Sequence, residues 1–72
     1  CAGGNDSSLE LVSDFFASEF VAAGFEHGRL DLRTASALIH SCFLKAQNLR
    51  ASRTVLESIE GAAKRVGLRL AP

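Results

Sequence analysis

Apolar positions recur at steps of three and four along most of this chain. In its middle, LRTASALIHSCFLKAQN, Leu32, Ala35, Ile39, Cys42, Phe43 and Ala46 fall on one helical face. Leu38 and Leu44 widen that face. A stripe this wide suits a helix touched from two sides, so residues 32–47 are expected to form the middle helix of a bundle. Asp31 stands where its N-cap belongs.

An earlier stripe runs through Leu9, Val12, Phe16, Phe20 and Ala23, widened by Leu11, Phe15 and Ala22. Glu10, Asp14 and Ser18 mark the opposite, polar face. Ser7-Ser8-Leu9-Glu10 reads as a capping box, and Gly24-Phe25 as the stop, so the first helix is expected over 8–23. Residues 26–31 connect it to the second helix, with Gly28 breaking any helix and Leu30 tucked inward. The third stripe, Ala51, Val55, Leu56, Ile59, Ala62, Ala63 and Val66, predicts a helix over 49–66 that stops at Gly67; an Asn48 cap is expected to start it, the alternative being that the second helix continues straight through to Val66. Arg50, Arg53, Glu57, Glu60 and Lys64 are expected on its wet side, with Arg53–Glu57 and Glu60–Lys64 as i,i+4 pairs. Gly61, beside Ala62 and Ala63, is expected to let another helix approach closely. The expected fold is all-α, a small three-helix bundle with short connections and antiparallel neighbours. Residues 1–7, rich in Gly, Asn and Ser, are expected to be a flexible lead, and 8–72 a single domain.

Size sharpens this picture. A chain of 72 residues buries only roughly 60% of the surface its unfolded form exposes. Its aromatics are five Phe, and it has neither Trp nor Tyr. Leu11, Phe15, Phe16, Phe20, Leu38, Leu44 and Leu70 are more apolar surface than three short helices readily bury. No apolar run approaches the ~20 residues of a membrane span.

Formal net charge is zero, but it is divided along the chain. Residues 1–31 set Asp6, Glu10, Asp14, Glu19, Glu26 and Asp31 against Arg29 alone, a net of −5. Residues 32–72 set Arg33, Lys45, Arg50, Arg53, Lys64, Arg65 and Arg69 against Glu57 and Glu60, a net of +5. The first expectation is that an acidic first helix packs beside basic later ones. The alternative is that the basic half meets an acidic partner such as nucleic acid.

Candidate chemistry is sparse. His40 and Cys42 are two apart, which points them in different directions on a helix, so they do not make a nucleophile and base. Cys42 is expected to be a small buried hydrophobe and His40 to be solvated. Cys1, His27, His40 and Cys42 lack paired metal-ligand spacing. A Cys1–Cys42 disulfide is open on the even count alone. Glu10 and Asp14 share a face expected to be exposed, and Gly3-Gly4 opens no phosphate loop. No catalytic, cofactor or metal residue is nominated, and the chain is expected to be non-enzymatic.

Two partial likenesses add context. Cys1 followed by Ala2, Gly3, Gly4 and Asn5 resembles the mature start of a bacterial lipoprotein, whose Cys carries the lipid. That likeness implies a lipid-anchored envelope protein. The chain opens at Cys1 and not at Met, so a processed or excised piece is expected. From Thr34 onward, Leu38-Ile39, Ala46, Ser52, Leu56 and Gly67-Leu68 resemble helix-turn-helix repeats of the tetratricopeptide and pentatricopeptide kind. Gln47 and Asn48 replace the inner-turn Gly of those repeats, and one unit does not make a repeat.

The leading functional expectation is a protein-interaction module that dimerises, docks or serves as a small subunit. Its partner is a second copy or a heterologous helix, met by Leu11, Phe15, Phe16, Phe20, Leu38 and Leu44. The alternative from another class is nucleic-acid binding through Arg50, Arg53, Lys64 and Arg65, although Glu57 and Glu60 would repel phosphate. A cytoplasmic location is the default, and the lipid-anchored envelope the alternative.

Overall fold

The computed structural model describes residues 2–70, with side chains described from Glu10 onward. It contains α1 (Ala2–Glu26), α2 (Leu32–Asn48) and α3 (Arg53–Arg65), and each helix packs on the other two. The all-α three-helix bundle expected from the periodicity is therefore the fold. No strand occurs among the described residues, and no helix among them is long and apolar enough to cross a membrane. Cys1 falls outside the described residues, and with it the lipid-anchor and disulfide expectations.

The core consists of Val21, Ala22, Ala35, Ile39, Phe43, Ala46, Ile59, Ala62, Ala63 and Val66. Half of these are alanine, so the helices approach closely and little side-chain volume lies between them. Leu11, Phe15, Phe25, Leu30, Ala51, Val55, Leu56, Leu68 and Leu70 close the edges of this core. The stripes expected for α2 and α3 are largely those observed. The exceptions on α2 are Leu32, Leu38 and Leu44, which lie exposed, and Cys42, which is half-buried.

One turn geometry ends all three helices. At the end of α1, the Arg29 N–H donates to the Gly24 carbonyl at 2.7 Å and the Gly28 N–H to that of Phe25 at 3.0 Å. At the end of α2, Ala51 donates to Ala46 at 2.9 Å and Arg50 to Gln47 at 3.0 Å. At the end of α3, Leu68 donates to Ala63 at 2.8 Å and Gly67 to Lys64 at 3.1 Å. This paired closure is the Schellman motif, which needs a left-handed residue just past the helix. Gly28 and Gly67 fill that position with φ of 77°, and Arg50 fills it with φ of 56°.

The first and second closures correct two expectations. Gly24 does not stop α1. It lies inside the helix because Leu30 folds back over it, and a Cβ there would sit 3.2 Å from Leu30 Cδ1. Gly28, four residues after Gly24, is thus the left-handed residue that closes the helix, which runs on to Glu26. It also starts before residue 8, at Ala2, so the Ser7 position is mid-helix and not a cap; extending an existing helix costs far less than starting one. Likewise Asn48 is the last residue of α2. Ser52 is the N-cap of α3, accepting the Val55 N–H at 3.4 Å, while Asp31 caps α2 as expected by accepting that of Thr34 at 3.0 Å.

Two details of α3 also differ. Gly61 faces open space, with nothing within 4 Å of a Cβ placed on it, so no neighbouring helix uses its smallness. The expected Arg53–Glu57 and Glu60–Lys64 pairs are absent from the ion pairs of the described residues. The ion pairs that do form run between helices, from Lys45 on α2 and Arg65 on α3 to the acids of α1.

Candidate functional site

The face of α1 turned away from the bundle is the most unusual surface of the molecule. The side facing the core carries Leu11, Phe15, Ser18, Val21, Ala22 and Phe25. Ser18 is fully buried, and its hydroxyl is satisfied by donating to the Phe15 carbonyl at 2.7 Å. This overturns the polar face expected from Glu10, Asp14 and Ser18. Small and back-bonding, Ser18 behaves as a core residue because its own helix supplies the hydrogen-bond partner.

With Ser18 inward, the opposite stripe must point out. Val12, Phe16 and Phe20 succeed one another at steps of four and are 48, 64 and 81% exposed. Ser13, Phe16, Ala17, Glu19, Phe20 and Ala23 line a shallow recess of about 450 Å³ along this face. Alanines fill the core of this protein while two phenylalanines stand in water, the reverse of the usual sorting by burial. The Phe15 and Phe16 rings meet at 5.6 Å between centroids, tilted by 48°, where the inner and outer faces join.

Six residues were expected to meet a partner, and they divide. Phe16, Phe20, Leu38 and Leu44 are exposed, whereas Leu11 and Phe15 pack against the core. Leu38 and Leu44 do not share one face of α2. Six residues apart on α2, they point about 120° from each other. Val12 belongs to the face and was not among the expected six. Its step of four before Phe16 was the available signal.

Both margins of the α1 face are acidic and held by cations from the other helices. Lys45 on α2 lies 3.2 Å from Glu10 Oε2 and 3.3 Å from Asp14 Oδ2. The Asp14 contact is a charge contact without hydrogen-bond alignment, which leaves that buried Oδ2 without a hydrogen-bond donor. On the other margin, Arg65 Nε and Nη2 donate to the two carboxylate oxygens of Glu26, each at 2.9 Å. Its Nη1 donates to Glu19 Oε1 at 2.8 Å. Hydrogen bonding from Arg65 holds the Glu26 carboxyl below its ordinary pKa, and the same contact raises that of Arg65. The hydrogen bond to Glu10 and then the close charge contact with Asp14 raise that of Lys45. The charge division of the sequence is thus met inside the molecule, acidic α1 against basic α2 and α3.

That pairing bears on the residues assigned to nucleic acid. Arg65 is engaged on three sides by Glu19 and Glu26. Arg50 and Arg53 are exposed near the α2–α3 turn. Lys64 is exposed near the far end of α3, eleven residues and about 16 Å of helix from Arg53. The four do not form one patch. His40 is exposed, and burial followed by the charge of Asp14 pushes the Cys42 thiol up. Among the described residues no three of His, Cys, Asp and Glu gather as a metal site would require. Comparison with protein families, with curated proteins and with solved structures finds no match to this chain.

Proposed function

We propose that this domain is a non-enzymatic interaction module whose docking surface is the outward face of α1. One observation carries the proposal: Phe16 and Phe20 are exposed on a helix that already buries its other side. Fully burying a Phe side chain stabilises by roughly 1.5–3 kcal/mol, so two exposed on one stripe leave a large favourable term unused. A partner that covers the stripe recovers it. Charge supports the same surface over the basic half, because Arg65 and Lys45 are engaged within the molecule, and Arg50, Arg53 and Lys64 are scattered.

The test is whether the stripe can be made polar without loss of the fold. The double variant Phe16→Asp/Phe20→Asp is expected to keep the helical circular-dichroism signal of the wild-type chain and to melt cooperatively at low micromolar concentration, with a midpoint at or a few degrees below the wild-type value. Unfolding of the double variant under those conditions would mean that the two rings are core, and the docking surface would be lost with them.

A further inference from the structure

We infer that the partner on this face is a second copy of the chain, bound through an antiparallel pair of α1 helices related by a two-fold axis near Ser18. This rests on the docking role of α1 and names its occupant.

Three observations on this face lead there. The first is self-complementarity, which a two-fold interface requires of a single surface. When α1 is laid against a reversed copy with the axis at the height of Ser18, Phe16 meets Phe20 of the other copy. Ser13 meets Ala23 and Ala17 meets Glu19. The six residues that line the recess map onto themselves under this operation. Large rings oppose large rings, and small Ser13 and Ala23 flank them, so the helices close in without steric conflict.

The second is area. A Phe side chain offers about 150–250 Å² for burial. At 64 and 81% exposure, Phe16 and Phe20 together leave about 300 Å² in water, and Val12 adds tens more. This already falls in the ~300–600 Å² range of the largest apolar patch on a typical monomer, here on one helix of a 72-residue chain. Two such stripes remove ~700–800 Å² on pairing. Their margins bring the total toward the lower end of the ~1,200–2,000 Å² that stable interfaces bury. A dimer of modest affinity follows, with a dissociation constant on the order of micromolar.

The third is charge. Among residues 10–26, α1 carries Glu10, Asp14, Glu19 and Glu26 and no Lys or Arg, so a bare copy would repel its twin. These acids are instead paired with Lys45 and Arg65 of their own chain. A basic partner helix would have to compete with those two cations, whereas a second copy brings its acids already paired.

Light scattering across a series from micromolar to millimolar is expected to show the mass rising from the 7.6 kDa of one chain to twice that value. Phe16→Asp/Phe20→Asp is expected to weaken association ~100-fold or more, since each substitution counts twice across a two-fold axis. Geometry is read separately with a short bis-maleimide cross-linker, in a background of Cys1→Ser and Cys42→Ala. A mixture of Ser13→Cys and Ala23→Cys chains should give the mixed cross-linked dimer, and neither variant alone should. A wild-type chain that stays at 7.6 kDa to millimolar concentration overturns the second copy. If the Asp variant remains folded, the docking face then survives and awaits another helix. A dimer that persists in the Asp variant, or Ser13→Cys chains that cross-link to themselves, overturns the antiparallel α1 pair.

Discussion

Replacing Arg50 with glycine should stabilise this protein, although it removes a charged side chain and adds the most flexible residue. Arg50 holds the left-handed position of the turn after α2, with φ of 56°. The same hydrogen-bonded closure occurs after α1 and α3, where the position is Gly28 and Gly67. For a residue with a Cβ this conformation costs roughly 1–2 kcal/mol. Glycine removes that cost, but its freer unfolded chain returns roughly 0.5–1 kcal/mol. The Arg50 side chain is exposed, and it makes no hydrogen bond or ion pair among the described residues, so little else is lost. The net gain for Arg50→Gly is therefore about 0.5–1 kcal/mol. In a domain of this length that raises the thermal midpoint by about 2–8 °C.

The control is Arg50→Ala, which removes the side chain but keeps the Cβ in the left-handed region. Its midpoint should stay close to that of the wild type. Urea melts of the three proteins, with the m-value checked for constancy, give the comparison. If alanine stabilises as much as glycine, the guanidinium and not the backbone was the cost. If glycine destabilises, the Arg50 side chain holds the α2–α3 turn by a contact stronger than the strain. Either result would refute the account of this turn.

Gly61→Ala should stabilise by about 0.8–1 kcal/mol, because the glycine is inside α3, exposed, and has open space where the methyl would go; a loss of stability in the same urea assay would place a close neighbour there. Ser52→Ala should destabilise by about 1 kcal/mol, since it removes the acceptor for the Val55 N–H at the start of α3, and Asn48→Ala should cost markedly less. Acid should weaken the fold through Glu26 and Asp31, whose folded pKa values are lowered, the first by Arg65 and the second by hydrogen bonds from Thr34. Their contribution is complete above the ordinary carboxylate range near pH ~4 and is lost as pH falls through the lowered folded values. Lys45 and Arg65 shift the other way and keep their charge throughout this range, so the midpoint should be flat from pH ~6 to ~8, fall below ~4, and decline above ~8.5 as the unfolded Cys42 thiol ionises before the raised folded one. Glu26→Gln should soften that fall, and curves for variant and wild type that stay parallel to pH 3 would remove Glu26 as a cause.

The sequence made the elements legible where one signal dominated, and hid them where two signals competed. Ala35, Ile39, Phe43 and Ala46 form a single stripe on α2, and every one is buried. Ile59, Ala62, Ala63 and Val66 do the same for α3. Asp31 and Gly67 were readable because each is a residue its position favours. α1 is apolar on two opposite faces, and periodicity cannot choose between two stripes. Each face carries two phenylalanines, Phe16 and Phe20 on one and Phe15 and Phe25 on the other, and the chain buries the side that also holds Ser18. Neighbours decide that choice. With that side inward, Lys45 and Arg65 reach the acids on the two flanks of α1. The α2–α3 turn was hidden for a different reason, because an arginine occupies the position where glycine would have announced it.

The two-faced α1 and the thin core have a common physical origin. α1 is 25 residues long, against 17 and 13 for α2 and α3, and the molecule measures 41 × 26 × 16 Å. Two neighbours cover only one side of a helix, and α1 outruns both of its own, so it is left bare along its outer edge. Alanines at Ala22, Ala35, Ala46, Ala62 and Ala63 draw the helices close but give each buried position little area. At roughly 25 cal/mol per Å² of apolar surface, such a core contributes less than one built of Leu and Phe. The missing area is on the stripe, as Phe16 and Phe20. A second α1 laid against it turns the bare edge into the centre of a six-helix assembly, with four rings between two bundles. Stability and assembly would then be one equilibrium, and the thermal midpoint should rise with protein concentration. A midpoint unchanged over a hundredfold range of concentration would separate the two, and would leave this small core to stand alone.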